Sequence, residues 1–518
     1  MSRQEKPLML PDDEHNRTLL ENVHPSTWVN PDSTDRYNLV VIGAGTAGLI
    51  TAVVAAGLGA KVALIERRLM GGDCLNVGCV PSKGLIRAAK AWSDLKRTEE
   101  FGIHIPPGVT YDFGAVMARM RKLRARISHN DSAHRYKSLG VDVYIGEARF
   151  TGTEMVEVVG PAGNRTVRFA KAAICTGARA SAPSIPGLSE TGYLTNETVF
   201  SLTELPSRLA VIGAGPIGCE LAQAFARFGS QVSLVEALHG VMPNEDRDAA
   251  QIVQQSLLRD GVQLLCCSKD LRVASRESGK QLTVDSHGQR YDVTVDEILV
   301  GAGRTPNVEG LGLEAAGVEY DKTGVTVNGR LRTTNPRIFA AGDICSKYKF
   351  THAADAMAQI VIQNALFPHP FGLAYAKVDS LIMPWCTFTE PEIAHVGLCE
   401  ADAKAQGLEV ETYTVKLDEV DRAILDGEEE GFARVHIQKG SDKILGATIV
   451  AAHAGEMINE FSVLMKAGAG AKTIAGTIHP YPTQSEVNKK AVNLWRKAHF
   501  TPRAKALLVK LFAWLRRG

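Results

Sequence analysis

One 26-residue segment of the sequence is present twice, at an offset of 170 residues. Residues 41–66 read VIGAGTAGLITAVVAAGLGAKVALIE and residues 211–236 read VIGAGPIGCELAQAFARFGSQVSLVE, so the copies align without a gap. Each copy passes from a short apolar run through G-x-G-x-x-G and a longer apolar stretch to a second strand-like run ending in glutamate. This order predicts a strand, a tight turn, a helix and a parallel strand. The chain is therefore expected to contain two doubly wound α/β domains.

The glycines and the terminal glutamate of each copy have roles that dinucleotide binding explains. The first glycine permits the tight turn, the second lets the backbone approach a pyrophosphate, and the third allows close packing of helix on strand. The helix N-terminus offers N–H groups to the phosphates, and the glutamate accepts hydrogen bonds from a ribose. A Gly-rich turn that binds nothing is the alternative, which two complete copies make improbable. The candidate residues are Gly43, Gly45, Gly48 and Glu66 in the first copy, and Gly213, Gly215, Gly218 and Glu236 in the second.

Two such sites in one chain indicate two different dinucleotides, such as a flavin cofactor and a nicotinamide electron donor. Glu236 bears on the choice of donor, because a carboxylate pairs with free ribose hydroxyls and repels the 2′-phosphate of NADPH. No arginine lies between Glu236 and Arg247 to bind that phosphate. We therefore expect FAD as the cofactor and NADH, rather than NADPH, as the donor.

The composition disfavours several other classes of protein. The 518 residues carry a formal net charge of +1, which gives no indication of nucleic-acid binding. Nine cysteines are a sparse and odd number for a secreted disulfide scaffold, and residues 1–20 lack the apolar core of a signal peptide, so we expect a cytoplasmic protein. Residues 39–60 are uncharged and about long enough to cross a bilayer, but their glycine spacing favours a buried strand and a packed helix.

Two cysteines follow the first nucleotide-binding segment in the stretch GGDCLNVGCVPSK, residues 71–83. A zinc site would need two more ligands at suitable spacing, which the neighbouring sequence does not supply, and we predict no metal-ligating residues. A structural disulfide is disfavoured in a cytoplasmic chain. A redox pair of Cys74 and Cys79 beside a flavin is compatible with a reducing cytoplasm. It also explains why the two cysteines directly follow the first nucleotide-binding segment. A helix beginning near Pro81 can lower the pKa of the attacking thiol.

The same stretch resembles the active-site segment of the pyridine nucleotide–disulfide oxidoreductases, and further segments typical of that family follow in order. They are ICTGARA at 174–180, VGAGRTPN at 300–307, IFAAGDIC at 338–345 and PWCTFTEPEIAHVG at 384–397. Among the members of the family, the segments GLIRAAKAW and ELAQAFARFG are most similar to those of mercuric reductases. The resemblance extends from about Tyr37 to Asn493.

The resemblance implies roles for individual residues. Cys74 is then the thiol that exchanges with the substrate, and Cys79 is the thiol on the flavin side. Lys83 is implied to lie near the flavin N5 and to pair with Glu220. Electrons would pass from NADH to FAD and then to the cysteine pair. The residues implied in further dinucleotide contacts are Thr176, Gly177 and Asp343 for FAD, and Gly303 for the nicotinamide coenzyme.

The resemblance also implies an α/β fold with two Rossmann-like nucleotide-binding domains and a C-terminal α+β dimerisation domain, in a C2 homodimer. Residues 1–35 are polar with several prolines, which favours an arm laid on the surface or partly disordered. The predicted divisions are an N-terminal extension at 1–35, an FAD-binding domain at 36–196 and 304–376, an NAD(P)-binding domain at 197–303, the dimerisation domain at 377–498, and a basic amphipathic helix at 499–518.

The sequence departs from the family pattern in TIHPYPTQSEVN, residues 477–488. Members that use dithiols have His-Pro-Thr-x-x-Glu here, and that histidine shuttles the proton of the substrate. Tyr481 occupies the position of the histidine, with Glu486 after it, and a tyrosine of ordinary pKa, about 10, is a poor base at neutral pH. His479 could substitute for it, although a role as a surface or core histidine is the alternative. Mercuric reductases also have tyrosine here, which fits an acceptor that needs no proton.

A second departure concerns the cysteines that deliver the metal ion in mercuric reductases, because residues 400–518 contain none. The expected acceptor is therefore a metal ion or a small disulfide. One alternative is a reductase similar to dihydrolipoamide dehydrogenase. The other is a membrane-docked flavoprotein that binds or senses, in peripheral contact with the inner face of the membrane. The basic C-terminal helix, which has leucines along one face, suggests this membrane-docked alternative. An apolar face of this kind more often packs against its own protein or against a dimer partner. The residues on its apolar stripe are Leu507, Leu508, Leu511 and Leu515.

The remaining cysteines are expected to be structural. Cys266 and Cys267 lie together in a short apolar run typical of a strand, where small buried core residues are favoured over a soft-metal site. The isolated cysteines are Cys175, Cys219, Cys345, Cys386 and Cys399.

Overall fold

The computed structural model describes residues 9–32, 36–160 and 163–517. These residues form two compact units. The first contains the chain up to residue 237 together with 261–381, and the second contains 238–260 together with the chain from residue 382 onward.

The helices and strands have the following bounds. The helices are α1 (Glu14–Val23), α2 (Thr46–Gly57), α3 (Gly72–Val77), α4 (Cys79–Asp94), α5 (Phe113–Ser128), α6 (Ala133–Ser138), α7 (Leu188–Thr191), α8 (Pro216–Arg227), α9 (Arg247–Arg259), α10 (Thr351–Leu366), α11 (Glu400–Ala405), α12 (Asp421–Asp426), α13 (Ala454–Met457), α14 (Asn459–Ala467), α15 (Ala471–Gly476), α16 (Glu486–Ala498) and α17 (Pro502–Leu515). The strands are β1 (Tyr37–Ile42), β2 (Val62–Glu66), β3 (Val141–Ile145), β4 (Glu147–Gly152), β5 (Met155–Gly160), β6 (Gly163–Ile174), β7 (Ala178–Ala180), β8 (Arg208–Ile212), β9 (Gln231–Val235), β10 (Gln263–Leu265), β11 (Lys269–Arg276), β12 (Gly279–Ser286), β13 (Gln289–Val295), β14 (Glu297–Val300), β15 (Arg304–Pro306), β16 (Tyr320–Asp321), β17 (Gly324–Val325), β18 (Ile338–Ala340), β19 (Pro384–Thr387), β20 (Glu392–Gly397), β21 (Val410–Lys416), β22 (Phe432–Gln438) and β23 (Ile444–Ala451).

The larger sheet of the first unit has the strand order β3-β2-β1-β6-β5-β4, and β18 pairs with β6. Strand β1 is parallel to both neighbours, with Leu39 opposite Val62 on one side and Lys171 on the other. Strand β18 follows the second nucleotide-binding segment in sequence, yet it pairs in parallel with β6. Residues on both sides of the second segment therefore complete this sheet, as expected for an FAD-binding domain that an NAD-binding domain interrupts.

The second copy of the repeated segment builds a parallel sheet of its own, β10-β9-β8-β14. A three-stranded antiparallel sheet, β11-β12-β13, belongs to the same unit. Two doubly wound α/β nucleotide-binding domains are thereby confirmed. The exact residues at which these domains divide stay a prediction.

Glycines are required where each repeated strand turns into its helix. Gly43 has φ +98° and Gly213 has φ +101°, a left-handed conformation that a side chain disfavours. A Cβ added at Gly48 would lie 1.8 Å from the carbonyl oxygen of Gly43, and one added at Gly218 would lie 1.9 Å from that of Gly213. Both helices therefore pack onto their strands at a distance that only glycine allows.

Residues 14–23 form helix α1, so the expectation of a surface arm or disordered extension is wrong for this part of the chain. Leu19 and Val23 are fully buried in the core of the first unit. Arg124 Nη2 donates a hydrogen bond to Asn16 Oδ1 at 2.7 Å. The apolar spacing of this helix gives it a buried face, which the polar composition of the segment conceals. The first eight residues and residues 33–35 lie outside the described part of the chain.

The second unit is built on the antiparallel sheet β19-β20-β23-β22-β21. Its central strand β23 is buried at every position, and Phe461 and Trp495 complete an apolar core against it. This confirms the predicted α+β architecture of the C-terminal region.

The C-terminal helix α17 has no buried residue. Leu507 and Trp514 are each 69% exposed, so the predicted apolar stripe is not covered by the rest of this unit. Among the described residues, no helix combines the length and the apolar character needed to cross a bilayer.

Candidate functional site

The cysteine pair lies directly against the first Gly-rich turn. Cys74 belongs to α3 and Cys79 is the first residue of α4. The backbone just before Cys74 passes very close to the Gly-rich turn, because a Cβ added at Gly72 would lie 2.7 Å from the Cα of Gly45. The structure therefore brings the predicted redox pair and the predicted first dinucleotide site together.

The two thiols are coupled through a hydrogen bond. This bond from Cys74 lowers the pKa of Cys79 to about 6, with smaller contributions from Thr351 and from the positive charge of Lys83. The same bond, together with burial, raises the pKa of Cys74. Cys79 also begins α4, where the dipole of the helix favours a thiolate. The pair therefore holds one thiolate at neutral pH, and this thiolate is on Cys79.

Two side chains support that thiolate. Lys83 Nζ lies 2.7 Å from Glu220 Oε2, which agrees with the pairing that the family resemblance implies. Glu220 is buried on α8, and a buried carboxylate requires a cation beside it. Thr351 Oγ1 lies 3.5 Å from Cys79 Sγ. Sequence reasoning missed Thr351, although a threonine that opens a helix shortly after IFAAGDIC was a usable signal.

The pKa of Cys79 predicts a pH dependence of its alkylation. Because this pKa is lowered to about 6, the thiolate is present above that pH and is lost as the pH falls through it. We expect iodoacetamide to modify Cys79 of the reduced protein at a rate that is half-maximal near pH 6, measured by mass spectrometry of the peptide. Lys83→Met should raise this midpoint, because it removes the cation and leaves the charge of Glu220 unbalanced.

Lys90→Met is the matched control, because Lys90 lies on the same helix and pairs with Asp94 at 3.3 Å. It should leave the midpoint unchanged. An alkylation profile of Cys79 centred above pH 8, where an ordinary thiol titrates at about 8.5, would contradict the assignment of the thiolate.

An ion-pair network that sequence analysis missed lies next to the cysteine segment. Arg304 Nη2 donates a hydrogen bond to Asp73 Oδ2, and Arg304 Nε lies 3.3 Å from Asp343 Oδ2. Burial raises the pKa of Asp343, and the positive charge of Arg304 opposes this. The network holds Asp343, the predicted FAD contact, and the helix that carries Cys74 in one arrangement. An arginine within the mostly apolar segment VGAGRTPN is the sequence signal that points to it.

The glutamate of each repeated segment bonds to the turn of its own copy. Glu66 Oε2 accepts a hydrogen bond from Ala44 N, and Glu236 Oε2 accepts one from Ala214 N, both at 2.7 Å. Sequence analysis predicts contacts with a ribose, and the geometry adds this bond within the turn. A carboxylate oxygen can accept more than one hydrogen bond, so the two roles are compatible. A Cβ added at Gly215 would meet no atom within 4 Å, which leaves room at the second turn for a pyrophosphate.

The residues of the first copy fit the dinucleotide portion of FAD. A cavity of about 260 Å³ lies at the carboxyl end of β1, where ligands bind in doubly wound sheets. Helix α2 begins after Gly45 without a side-chain cap, so the N–H groups of its first turn are available to phosphate oxygens. Residues that line the cavity include Gly43, Glu66, Gly146, Thr176 and Glu309.

The remaining predicted cofactor residues directly precede two short paired strands. Thr176 Oγ1 donates to Asn307 O at 3.0 Å, and Asn307 Nδ2 donates to Thr176 O at 2.8 Å. Gly177 has φ +66° and Gly303 has φ +131°, so the chain turns sharply at both positions. These bonds join ICTGARA to VGAGRTPN, and β7 pairs with β15 there.

The candidate proton-transfer residues belong to the second unit. Tyr481 donates its hydroxyl to Asp421 Oδ2 at 2.8 Å, and this bond raises the pKa of Tyr481, with a smaller contribution from the charge of Glu486. His479 Nε2 lies 2.8 Å from Glu460 Oε1. The histidine is therefore held by a carboxylate, whereas the tyrosine is a weaker acid than usual.

Sequence comparison identifies the relatives of the chain. The profile described as pyridine nucleotide-disulphide oxidoreductase matches residues 37–358, and the dimerisation domain of the same proteins matches residues 383–492. A mercuric reductase of Staphylococcus aureus is 34% identical over 456 residues, which are 88% of this chain and 82% of that protein. A dihydrolipoyl dehydrogenase of Bacillus subtilis (strain 168) is also 34% identical, over 88% of this chain and 95% of that protein.

Among solved structures, the HOCl-induced flavoprotein disulfide reductase RclA from Escherichia coli, determined as a Cu(II) complex, is similar to this chain. The two share 29% sequence identity with a TM-score of 0.77, over 89% of this chain and all of the other.

Proposed function

Because the chain belongs to the pyridine nucleotide-disulphide oxidoreductases, we propose that it is a mercuric-reductase-like enzyme that passes electrons from NADH through FAD and the Cys74–Cys79 pair to a metal ion. A small disulfide is the other acceptor that this pair can serve. Members of the family depend on FAD and take electrons from NAD(P)H. The dimerisation domain supports a homodimer.

The proposal rests on the hydrogen-bonded thiols of Cys74 and Cys79. When bound, FAD would supply the transfer of an electron pair from the nicotinamide to the cysteine pair. The disulfide of Cys74 and Cys79 takes up that pair and one proton, which gives the Cys74 thiol and the Cys79 thiolate, in line with their opposite pKa shifts. Lys83 and Thr351 stabilise the new charge on Cys79. The oxidation of the thiols returns the same two electrons to the acceptor and re-forms the disulfide.

The state of Tyr481 favours a metal ion as the acceptor. A dithiol or disulfide substrate must gain or lose protons, which needs a base that titrates near neutral pH. The bond to Asp421 moves the pKa of Tyr481 away from that range. Thiolates bind soft metal ions directly, and the electron pair then reduces one divalent ion by two electrons or two ions by one each. Relatives named mercuric reductase and the structure of a reductase with Cu(II) support this choice.

We propose NADH as the preferred donor because of Glu236. Its carboxylate is held on Ala214 N beside the second turn, so its negative charge is fixed where the 2′-phosphate of NADPH would approach. A lower KM for NADPH than for NADH would contradict this preference.

A dihydrolipoamide dehydrogenase activity is the second candidate, and the contact between His479 and Glu460 favours it. A carboxylate at 2.8 Å orients an imidazole in the way that a general acid–base requires. His479 is two positions from the family histidine, so this activity would use a different backbone position for the same chemistry.

One experiment separates these candidates. The protein is reduced with NADH without oxygen, and Hg(II), Cu(II) or lipoamide is then added while the flavin spectrum is followed. We expect either metal ion to reoxidise the protein at least about 10-fold faster than lipoamide, and His479→Gln to leave the metal reaction unchanged. Faster reoxidation by lipoamide, reduced by about 100-fold or more in His479→Gln, would instead establish the second candidate, because general acid–base catalysis contributes at least that factor.

Peripheral membrane contact and a cytoplasmic location remain proposals. The exposed apolar stripe of α17, with the basic residues around it, supports contact with an anionic surface. Sedimentation with anionic vesicles, compared with a chain ending at residue 502, tests this contact.

A further inference from the structure

A second group of thiols lies in the first unit, outside the elements that carry Cys74 and Cys79. Strand β10 ends at Leu265, and Cys266 and Cys267 follow it. His287 lies in the turn that joins β12 to β13. Cys266 is buried, whereas Cys267 is only half-buried and His287 is exposed. Sequence analysis predicts that both cysteines are buried core residues on a strand. In the structure neither cysteine lies on a strand, and only Cys266 is buried.

The three side chains converge on one point. Cys266 Sγ lies 3.1 Å from His287 Nε2, and the ligand atoms of Cys266, Cys267 and His287 all lie within 4.8 Å of one another. Zinc binds sulfur at about 2.3 Å and imidazole nitrogen at about 2.0 Å, so one ion can join ligand atoms up to about 4.6 Å apart. Small rotations of these side chains would bring all three atoms into coordination distance.

The backbone explains how two adjacent cysteines can face the same side. Successive side chains in a strand point to opposite faces, which would separate the two sulfur atoms. Cys267 instead has φ +53°, a left-handed conformation that breaks the alternation after β10. This conformation directs both sulfur atoms toward one histidine.

The turn residue is also unusual. His287 has φ +51° and Gly288 has φ +79°, the pattern of a two-residue hairpin turn in which asparagine followed by glycine is preferred. A histidine costs more than asparagine in this position, and here its ring nitrogen is directed at Cys266.

We propose that Cys266, Cys267 and His287 form a binding site for a thiophilic metal ion such as Zn²⁺ or Hg²⁺. Two thiolates and one imidazole are the ligands that such ions prefer, and further coordination positions can be filled by water or another side chain. Binding releases the thiol protons and involves no electron transfer. The site does not depend on the proposed electron acceptor, because it shares no residue with the Cys74–Cys79 pair.

The test uses the full-length, FAD-loaded protein with Cys74→Ala and Cys79→Ala, so that the redox pair binds no metal. This parent is dialysed against Zn²⁺, desalted and measured by plasma mass spectrometry. We expect one equivalent of zinc per chain. Adding Cys267→Ser or His287→Asn should weaken binding by more than about 100-fold, because even changes outside the ligand shell cost 10–100-fold.

The His287→Asn variant retains a residue that the hairpin turn prefers, so its loss of zinc cannot be attributed to misfolding. Cys399→Ser is the matched thiol control, because residue 399 is a helix N-cap where serine is favoured, and it should retain the full equivalent. The proposal is overturned if the parent protein binds no zinc, or if Cys267→Ser and His287→Asn both bind it as tightly as the parent.

Discussion

Serine at either position 74 or 79 is expected to reduce the rate of acceptor reduction by on the order of 10³-fold or more, because both sulfur atoms act as one unit. Without Cys79, the thiol whose pKa is lowered is gone, and Cys74 has no sulfur partner with which to close a disulfide. Without Cys74, the hydrogen bond that lowers the pKa of Cys79 is lost. In both variants NADH should still reduce the flavin, because hydride transfer from the nicotinamide does not involve sulfur.

The measurement is the steady-state rate with Hg(II) or a small disulfide, together with the rate of flavin reduction by NADH in a stopped-flow instrument. The two substitutions should also differ, since a long-wavelength band from a thiolate beside the flavin should be lost at every pH in Cys79→Ser, whereas in Cys74→Ser it should appear once the pH exceeds the higher pKa that Cys79 then has. Cys399→Ser serves as the control and should change neither rate. Retention of more than a tenth of the acceptor rate in both cysteine variants would remove the pair from the electron path.

The nucleotide-binding framework could be predicted from the sequence because its requirements are local. Gly43 and Gly48 are constrained by a turn and by a contact between residues five apart, and such constraints leave a fixed spacing in the sequence. The position of the cysteine segment is similar, since Gly72 is needed where the backbone passes Gly45. The recurrence of the pattern at residues 211–236 makes the prediction of a second domain equally direct.

Contacts between distant segments could not be predicted in the same way. Arg304 reaches Asp73 across 231 residues of sequence, and Thr351 reaches Cys79 across 272. Nothing in the local pattern of either segment specifies the partner, because ion pairs and hydrogen bonds leave no periodicity. Polar composition alone also misled the prediction for residues 14–23, where Leu19 and other apolar residues on one face were sufficient to bury a helix.

The interpretation of two candidate sites, the segment with His479 and Tyr481 and the pair of Cys266 and Cys267, depends on conformation that composition does not reveal. The sequence shows that Tyr481 replaces a histidine, but only the structure reveals its bond to Asp421 and the contact of His479 with Glu460. Likewise, adjacent cysteines in an apolar run predict a buried strand, and the positive φ of Cys267 reverses that interpretation. Left-handed backbone at a residue other than glycine depends on packing that a sequence pattern does not record.

The second large effect is expected from alanine at the third glycine of each repeated segment, with a different outcome in each copy. Gly48→Ala places a Cβ 1.8 Å from the carbonyl oxygen of Gly43, so helix α2 must move away from β1 and from the phosphates it would bind. We expect the purified variant to lose most of its FAD. Gly218→Ala creates the same clash at 1.9 Å from Gly213, and it should retain FAD but raise the KM for NADH by about 10-fold or more.

The comparison assigns the two copies to their dinucleotides without relying on the order of the segments. FAD content is measured from the absorbance ratio of flavin to protein, and the KM for NADH is measured at a saturating acceptor concentration. Gly57→Ala is the matched control, because it lies on α2 where an added Cβ meets no atom within 4 Å. Its FAD content and KM should equal those of the unmodified protein. Loss of FAD from Gly218→Ala with a normal flavin content in Gly48→Ala would reverse the assignment, because a misplaced helix N-terminus weakens only the dinucleotide whose phosphates it binds.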